Sequence, residues 1–215
     1  MTQSCDDPLM TQSCYDAPSR YAAIIRAGEA LLCEGYDKAQ PQLIAKTAGV
    51  SVGLFYRYFA SKRELLTDVV KCHLKNLHCQ LAEEVVLYDH PVEALKCYLV
   101  LTLRYFRKHQ GLIKLFFMEI GYGDVEATER LKAARQTNRD ILRVILQRGI
   151  SQQVFLDQNA LDVEMAITSI IGTINWSLYN LLVVQNKDIE PDELADRILS
   201  FMSRSLVQCK DSGQC

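Results

Sequence analysis

Residues 48–62 read AGVSVGLFYRYFASK and set four aromatic side chains and one arginine in five consecutive positions, Phe55 to Phe59. Ala48-Gly49 reads as a turn, and Ser51 as the cap of a short helix starting at Val52. Stepping about 100° per residue round that helix puts Phe55 and Phe59, four apart, on one face. Arg57 falls about opposite, flanked by Gly53, Tyr56 and Tyr58. The cluster therefore divides into an inward apolar pair, facing a preceding helix near Ile25 and Leu32, and an outward polar set. An outward arginine can donate two bonds to a guanine edge, tyrosine hydroxyls can reach phosphates, and Gly53 permits close backbone approach. The same wheel also suits an ordinary three-helix core with an exposed arginine.

Working outward, Ser19 caps a helix from about Arg20 to Glu34, which Gly35 stops. Pro41 opens a short helix to about Thr47. Ser61, with Glu64 three residues on, forms a capping box for a helix to about Val86. Later helices are expected at about 91–109, 112–120, 125–148 (stopped by Gly149), 159–184 and 191–207. No strand pair emerges. The fold class is all-α, with about nine helices and a helix-turn-helix at its N-terminal end.

Charge is unevenly distributed. The chain of 215 residues carries a formal charge of −2, yet Lys38 to Arg63 holds five basic residues and no acid. Such a patch attracts polyanions whatever the net charge, although a solvated face of chance spacing would look the same. Residues 1–17, with a duplicated MTQSC at 1–5 and 10–14, read as a disordered acidic tail, and Met1 or Met10 could be the native start. No secretory signal is recognised, so the expected location is cytoplasmic, with the eight cysteines reduced. The uncharged run 165–186 has the length of a membrane span but is rich in Thr, Ser and Asn. It is expected to be buried in the protein or at a subunit interface, with no membrane partner.

The spacing Gly35-Tyr36, Ile44-Ala45, Ala48 to Ser51, Gly53, Tyr56, Tyr58-Phe59, Ser61-Lys62 and Leu65 closely resembles the DNA-binding segment of TetR-family transcriptional regulators over about residues 20–70. The resemblance implies a homodimer that places its third helices in successive major grooves of a pseudo-palindromic operator. It implies base contacts from Val52, Gly53, Leu54 and Arg57 and phosphate contacts from Gln40, Tyr56, Tyr58 and Lys62, with Ser51 capping the reading helix. Two positions depart from the family pattern. Ala39 replaces the threonine usual before the second helix, where Gln40 could substitute, and Leu54 replaces a small polar residue.

The resemblance divides the chain into a helix-turn-helix domain at 18–77, a ligand-binding and dimerisation domain at 78–209 and a tail at 210–215. It implies that the two last helices form the dimer interface and that a small effector binds nearby. Aromatic and polar residues that could line such a site are Tyr98, Tyr105, Phe106, Phe117, Asn175, Trp176 and Tyr179, which suit a largely apolar ligand, although each aromatic also fits plain core.

The paired Cys72-His73 and His78-Cys79 suggest a metal. Cys72 and Cys79 are seven apart, hence ~10 Å apart on a helix and too far for one zinc, and the two histidines diverge. No metal or cofactor is expected. No Walker loop, GxGxxG, HExxH or GxSxG is present, so an enzyme is not expected. The function this reading gives is a sequence-specific repressor released from a palindromic operator by a small effector. The alternative is a redox- or protein-partner-responsive regulator of the same fold with no small-molecule ligand, and a third reading is a helical enzyme or scaffold that carries a helix-turn-helix.

Overall fold

The computed structural model describes residues 19–119, 124–156 and 160–206. Ten α-helices run along them: α1 (Arg20–Glu34), α2 (Pro41–Thr47), α3 (Val52–Tyr58), α4 (Lys62–Val85), α5 (Pro91–Lys108), α6 (Gln110–Glu119), α7 (Val125–Arg130), α8 (Lys132–Ser151), α9 (Ala160–Tyr179) and α10 (Pro191–Leu206). A π-helical turn, Asn180–Val184, extends α9. The two expected tails lie outside the described residues, as do Cys5, Cys14, Cys209, Cys215 and the choice between Met1 and Met10.

The early helices start where their caps lie. Ser19 Oγ accepts the Ala22 N–H at 3.1 Å, Ser51 Oγ that of Leu54 at 3.2 Å and Ser61 Oγ that of Glu64 at 3.1 Å. Each satisfies a donor that a helix N-terminus otherwise leaves open, worth about 1 kcal/mol. The Glu64 carboxylate returns to the Ala60 N–H, one residue before the position the capping-box pattern implies. Gly35 ends α1 at φ 142°, a conformation costly for any residue with a Cβ.

Two expectations about the middle of the chain need correction. The helix expected over 125–148 is two helices, because α7 closes at Leu131, whose N–H turns to the carbonyls of Ala127 and Glu129. The break falls where two side chains are anchored: Leu131 is buried, and Arg130 is engaged with Glu64 and Asp68. Gly149 does not stop α8, which continues to Ser151. A Cβ at Gly149 would overlap the buried ring of Phe155, so the glycine serves packing, and the chain turns later at Gln153, φ 56°.

The chain falls into two compact units. Among the described residues, the first comprises 19–79 together with those of 109–135, and the second 80–108 together with those of 136–206. The core of the first unit gathers Ile24, Ile25, Leu32, Ile44, Phe55, Phe59, Leu65 and Val69, and Leu112 and Ala127 join it. Residues 109–135 therefore pack with the reading head, so the compact units and the linear ranges 18–77 and 78–209 are different divisions. In the second unit α10 packs along α5. Exposed ion pairs Lys96–Asp196, Arg104–Asp192 and Arg107–Asp188 flank that contact, each worth at most about 1 kcal/mol.

His78, on α4, is 6% exposed, and its Nε2 has no hydrogen-bond partner. Burial pushes its imidazole down to about 4 from the usual 6.5. Below pH 6.5 the unfolded chain takes up a proton that the folded chain refuses, so stability is full above that pH and declines as pH falls towards 4. The expected loss is roughly 2–3 kcal/mol between pH 7.5 and pH 4. Urea unfolding of the wild type and of His78→Phe across that range checks it. The His78-dependent part of the slope should vanish in the variant.

Candidate nucleic-acid interface

α3 divides its side chains as its wheel implies. Phe55 and Phe59 are both fully buried, with ring centroids 5.7 Å apart, and Tyr21 of α1 stacks on Phe59 at 5.7 Å. Ser51, Gly53, Tyr56, Arg57 and Tyr58 are exposed, and Val52 and Leu54 are half-buried. The outward rings are supported from beneath: Tyr56 packs edge-on against Phe55 at 5.3 Å, and Tyr58 against Tyr21 at 5.9 Å. The apolar half of the cluster thus fixes the helix, and the polar half faces solvent from a rigid base.

Gly49, φ 67°, makes the turn between α2 and α3. Beside that turn, Gly49, Ser51, Gly53, Leu54 and Arg57 line an open groove of about 540 Å³, and Arg20 joins them. Arg20 is a residue that the sequence reading missed. Its available signal was a basic residue opening α1 directly after the Ser19 cap, and nothing local ties it to α3, more than thirty positions away.

The flanking residues are placed differently. Gln40 is exposed and begins α2, but its side chain makes no cap; its Nε2 donates back to the Asp37 carbonyl at 2.7 Å. Ala39 is fully buried, which accounts for a small apolar residue where a threonine was expected. Lys62 donates to the Tyr36 carbonyl at 2.7 Å, and its ammonium lies 4.0 Å from the centre of the Tyr36 ring. Its charge is thereby held against the turn after α1. Burial pushes the Tyr36 phenol above its ordinary pKa, with the Glu119 charge adding to the rise.

The expected effector residues divide between the units. Phe117 belongs to the first. In the second, Tyr98, Tyr105 and Phe106 are buried on α5, and the Tyr98 hydroxyl donates to Asn138 Oδ1 at 2.9 Å. Burial holds that phenol well above its ordinary pKa, so it stays a neutral donor. Asn175 and Tyr179 are half-buried on α9. Trp176 is 65% exposed and stacks on Tyr179 at 5.5 Å, so it sits on the outer face of α9 and not in the interior of its unit. α9 buries Val163, Ile167, Ile170, Ile174 and Leu178 on one face and exposes Met165, Gly172 and Trp176 on the other. The segment Asp162–Val184 is long and apolar enough to cross a membrane by length and composition, with 28% of its most apolar window buried.

Residues 24–69, which hold all of α2 and α3 and most of α1, match the model for bacterial regulatory proteins of the tetR family, and residues 88–179 match a tetracyclin repressor-like C-terminal domain. The chain belongs to the TetR family. It is a DNA-binding transcriptional regulator with a helix-turn-helix at its N-terminal end. Among curated proteins, this TetR-family chain is 25% identical over 181 residues to the fatty acid metabolism regulator protein of Bacillus subtilis (strain 168), covering 80% of this chain and 92% of that one. Among solved structures it resembles the transcriptional regulator FadR of Bacillus subtilis in complex with stearoyl-CoA, with a TM-score of 0.71 and 24% identity over 85% of this chain and 97% of that one. It also resembles the regulator PfmR of Thermus thermophilus, with a TM-score of 0.62 and 24% identity over 86% and 99% of the two chains. These two structural likenesses are likenesses of fold, and the proteins compared are regulators.

Proposed function

We propose that this TetR-family regulator is a cytoplasmic repressor that reads a palindromic operator as a homodimer and is released by a long-chain acyl-CoA. The observation that carries the DNA-reading part is the division of α3, with Phe55 and Phe59 wholly inside and Arg57, Tyr56 and Tyr58 outside. In this reading Val52, Gly53, Leu54 and Arg57 meet base edges, and Leu54 suits a thymine methyl. Tyr56, Tyr58, Gln40 and Lys62 meet phosphates, Lys62 and Gln40 after leaving their intramolecular partners, and Arg20 adds a further cation at the groove. Arg57→Ala is expected to cost about 1–3 kcal/mol of operator affinity for each half-site and to relax the preference at one base pair, with thermal stability unchanged because the side chain is exposed. Fluorescence anisotropy with labelled operator, beside a melting curve, reads both.

The dimer reading rests on the exposed face of α9 and on Phe201 of α10, which is 67% exposed. A helix face that exposes Met165 and Trp176 between small and polar residues suits burial against its own copy. Gly172, with open space where a Cβ would stand, suits close approach of a second helix.

The effector class is proposed from the likeness to the Bacillus subtilis regulator that binds stearoyl-CoA. It is supported by the aromatic residues of α5, where Tyr98, Tyr105 and Phe106 are buried. An effector releases the operator only through a difference in affinity between DNA-competent and incompetent forms. Adding stearoyl-CoA to the preformed protein–operator complex should lower operator affinity, while free coenzyme A should not. Unchanged affinity at saturating stearoyl-CoA would remove the acyl-CoA assignment and leave the DNA reading standing.

A further inference from the structure

We infer that the first unit carries a zinc site formed by Glu29 of α1, His73 of α4 and His109, the residue before α6. Their ligand atoms all lie within 4.8 Å of one another. His73 Nε2 is 2.9 Å from Glu29 Oε1, and the two imidazole rings are 4.3 Å apart. The His73 side chain is 5% exposed and that of Glu29 23%, so the cluster is built into the unit and is not a chance meeting of surface chains.

A tetrahedral zinc with nitrogen and oxygen ligands at 2.0–2.2 Å needs its donor atoms roughly 3.3 Å apart. The His73–Glu29 separation of 2.9 Å is near that value and none of the three exceeds 4.8 Å, so small side-chain rotations would bring all three donors to one ion. Two imidazoles and one carboxylate suit a transition metal such as zinc and not magnesium or calcium, which take oxygen donors. Water would fill the fourth position. Cys33, one turn beyond Glu29 on α1, is not among the three ligands assigned.

The three ligands come from sequence positions 29, 73 and 109, so no local motif announces them. Cys72-His73 and His78-Cys79 give no sign of it, because residues of α4 alone cannot close the site around one ion. Bound zinc would clamp α1 to α4 and to the start of α6, the frame that holds the reading helix.

The test uses full-length protein stripped with a chelator and titrated with zinc chloride against a chromogenic competitor. One zinc per chain and a raised melting temperature are expected. Glu29→Gln and His109→Asn should each weaken binding by at least about tenfold, since even outer-shell changes at zinc sites cost 10–100-fold. Glu29→Gln keeps the shape and a hydrogen bond, so it stands as the test if His109→Asn fails to fold. Cobalt substitution separates the source: this nitrogen–oxygen site gives visible ligand-field bands without the near-ultraviolet charge-transfer band of a thiolate ligand, and Cys33→Ser with Cys79→Ser should leave zinc uptake in place. Equal zinc affinity in the wild type and Glu29→Gln would overturn the inference, and so would uptake that disappears with the two cysteines.

Discussion

Arg130→Met is expected to destabilise the first unit by about 3–5 kcal/mol, the range for removing one partner from a buried charge cluster. Arg130 sits at the end of α7 and reaches both Glu64 and Asp68 on α4, whose side chains are 7% and 8% exposed. Each carboxylate has a second partner: Glu64 accepts the Ala60 N–H, and Asp68 accepts the Tyr21 hydroxyl at 3.1 Å. Those neutral donors do not cancel a charge. Without the guanidinium, two carboxylates one turn apart would share a buried site with no cation directly between them.

Burial already pushes the Asp68 carboxyl above its ordinary range, the Tyr21 hydrogen bond and Lys71 pulling the other way. A raised folded-state carboxyl favours the folded state as pH falls towards its own pKa, and that contribution is lost as pH rises through it. The deficit of Arg130→Met should therefore shrink on acidification from pH 7, and adding Glu64→Gln with Asp68→Asn should recover most of it. Urea unfolding at two pH values measures both. A loss below about 1 kcal/mol at pH 7 would place this cluster among ordinary surface pairs.

The second large effect belongs to the aromatic cluster. Phe55→Ala should cost about 3–5 kcal/mol, because the ring is fully buried among Phe59, Ile44 and Leu65 and its loss leaves a cavity in a small core. Its neighbour Tyr56 is half-exposed, and Tyr56→Ala should cost less than about 1 kcal/mol in stability while weakening operator binding. Adjacent residues would thus separate folding from recognition. Equal stability losses for the two variants would mean that α3 does not divide its faces as described.

The features that sequence made legible are those encoded within a few residues. Ser19, Ser51 and Ser61 announce helix starts because a cap acts on backbone groups two or three positions away, and Gly35 announces an end for a similar reason. The split of Phe55 and Phe59 from Arg57 follows from helical period alone. What remained hidden depends on partners far along the chain. The break at Leu131 goes with Arg130 meeting Asp68, 62 positions away. Gly149 resembles a helix stop until the Phe155 ring is found against it, and Gln40 resembles a cap until the Asp37 carbonyl takes its amide. Trp176 looks like lining for an interior site, since an uncharged helix gives no sign of which face its own unit covers. The Glu29–His73 contact spans 44 positions, beyond any local spacing rule.

The most direct test of the account is to select bound sequences from random duplexes with the purified full-length protein and to follow affinity for the recovered sequence against salt. The account expects an inverted repeat with half-sites about 34–36 Å apart or further, and a steep loss of affinity with salt from the phosphate contacts of two reading heads. Recovery of no preferred sequence, with shallow salt dependence, would contradict it.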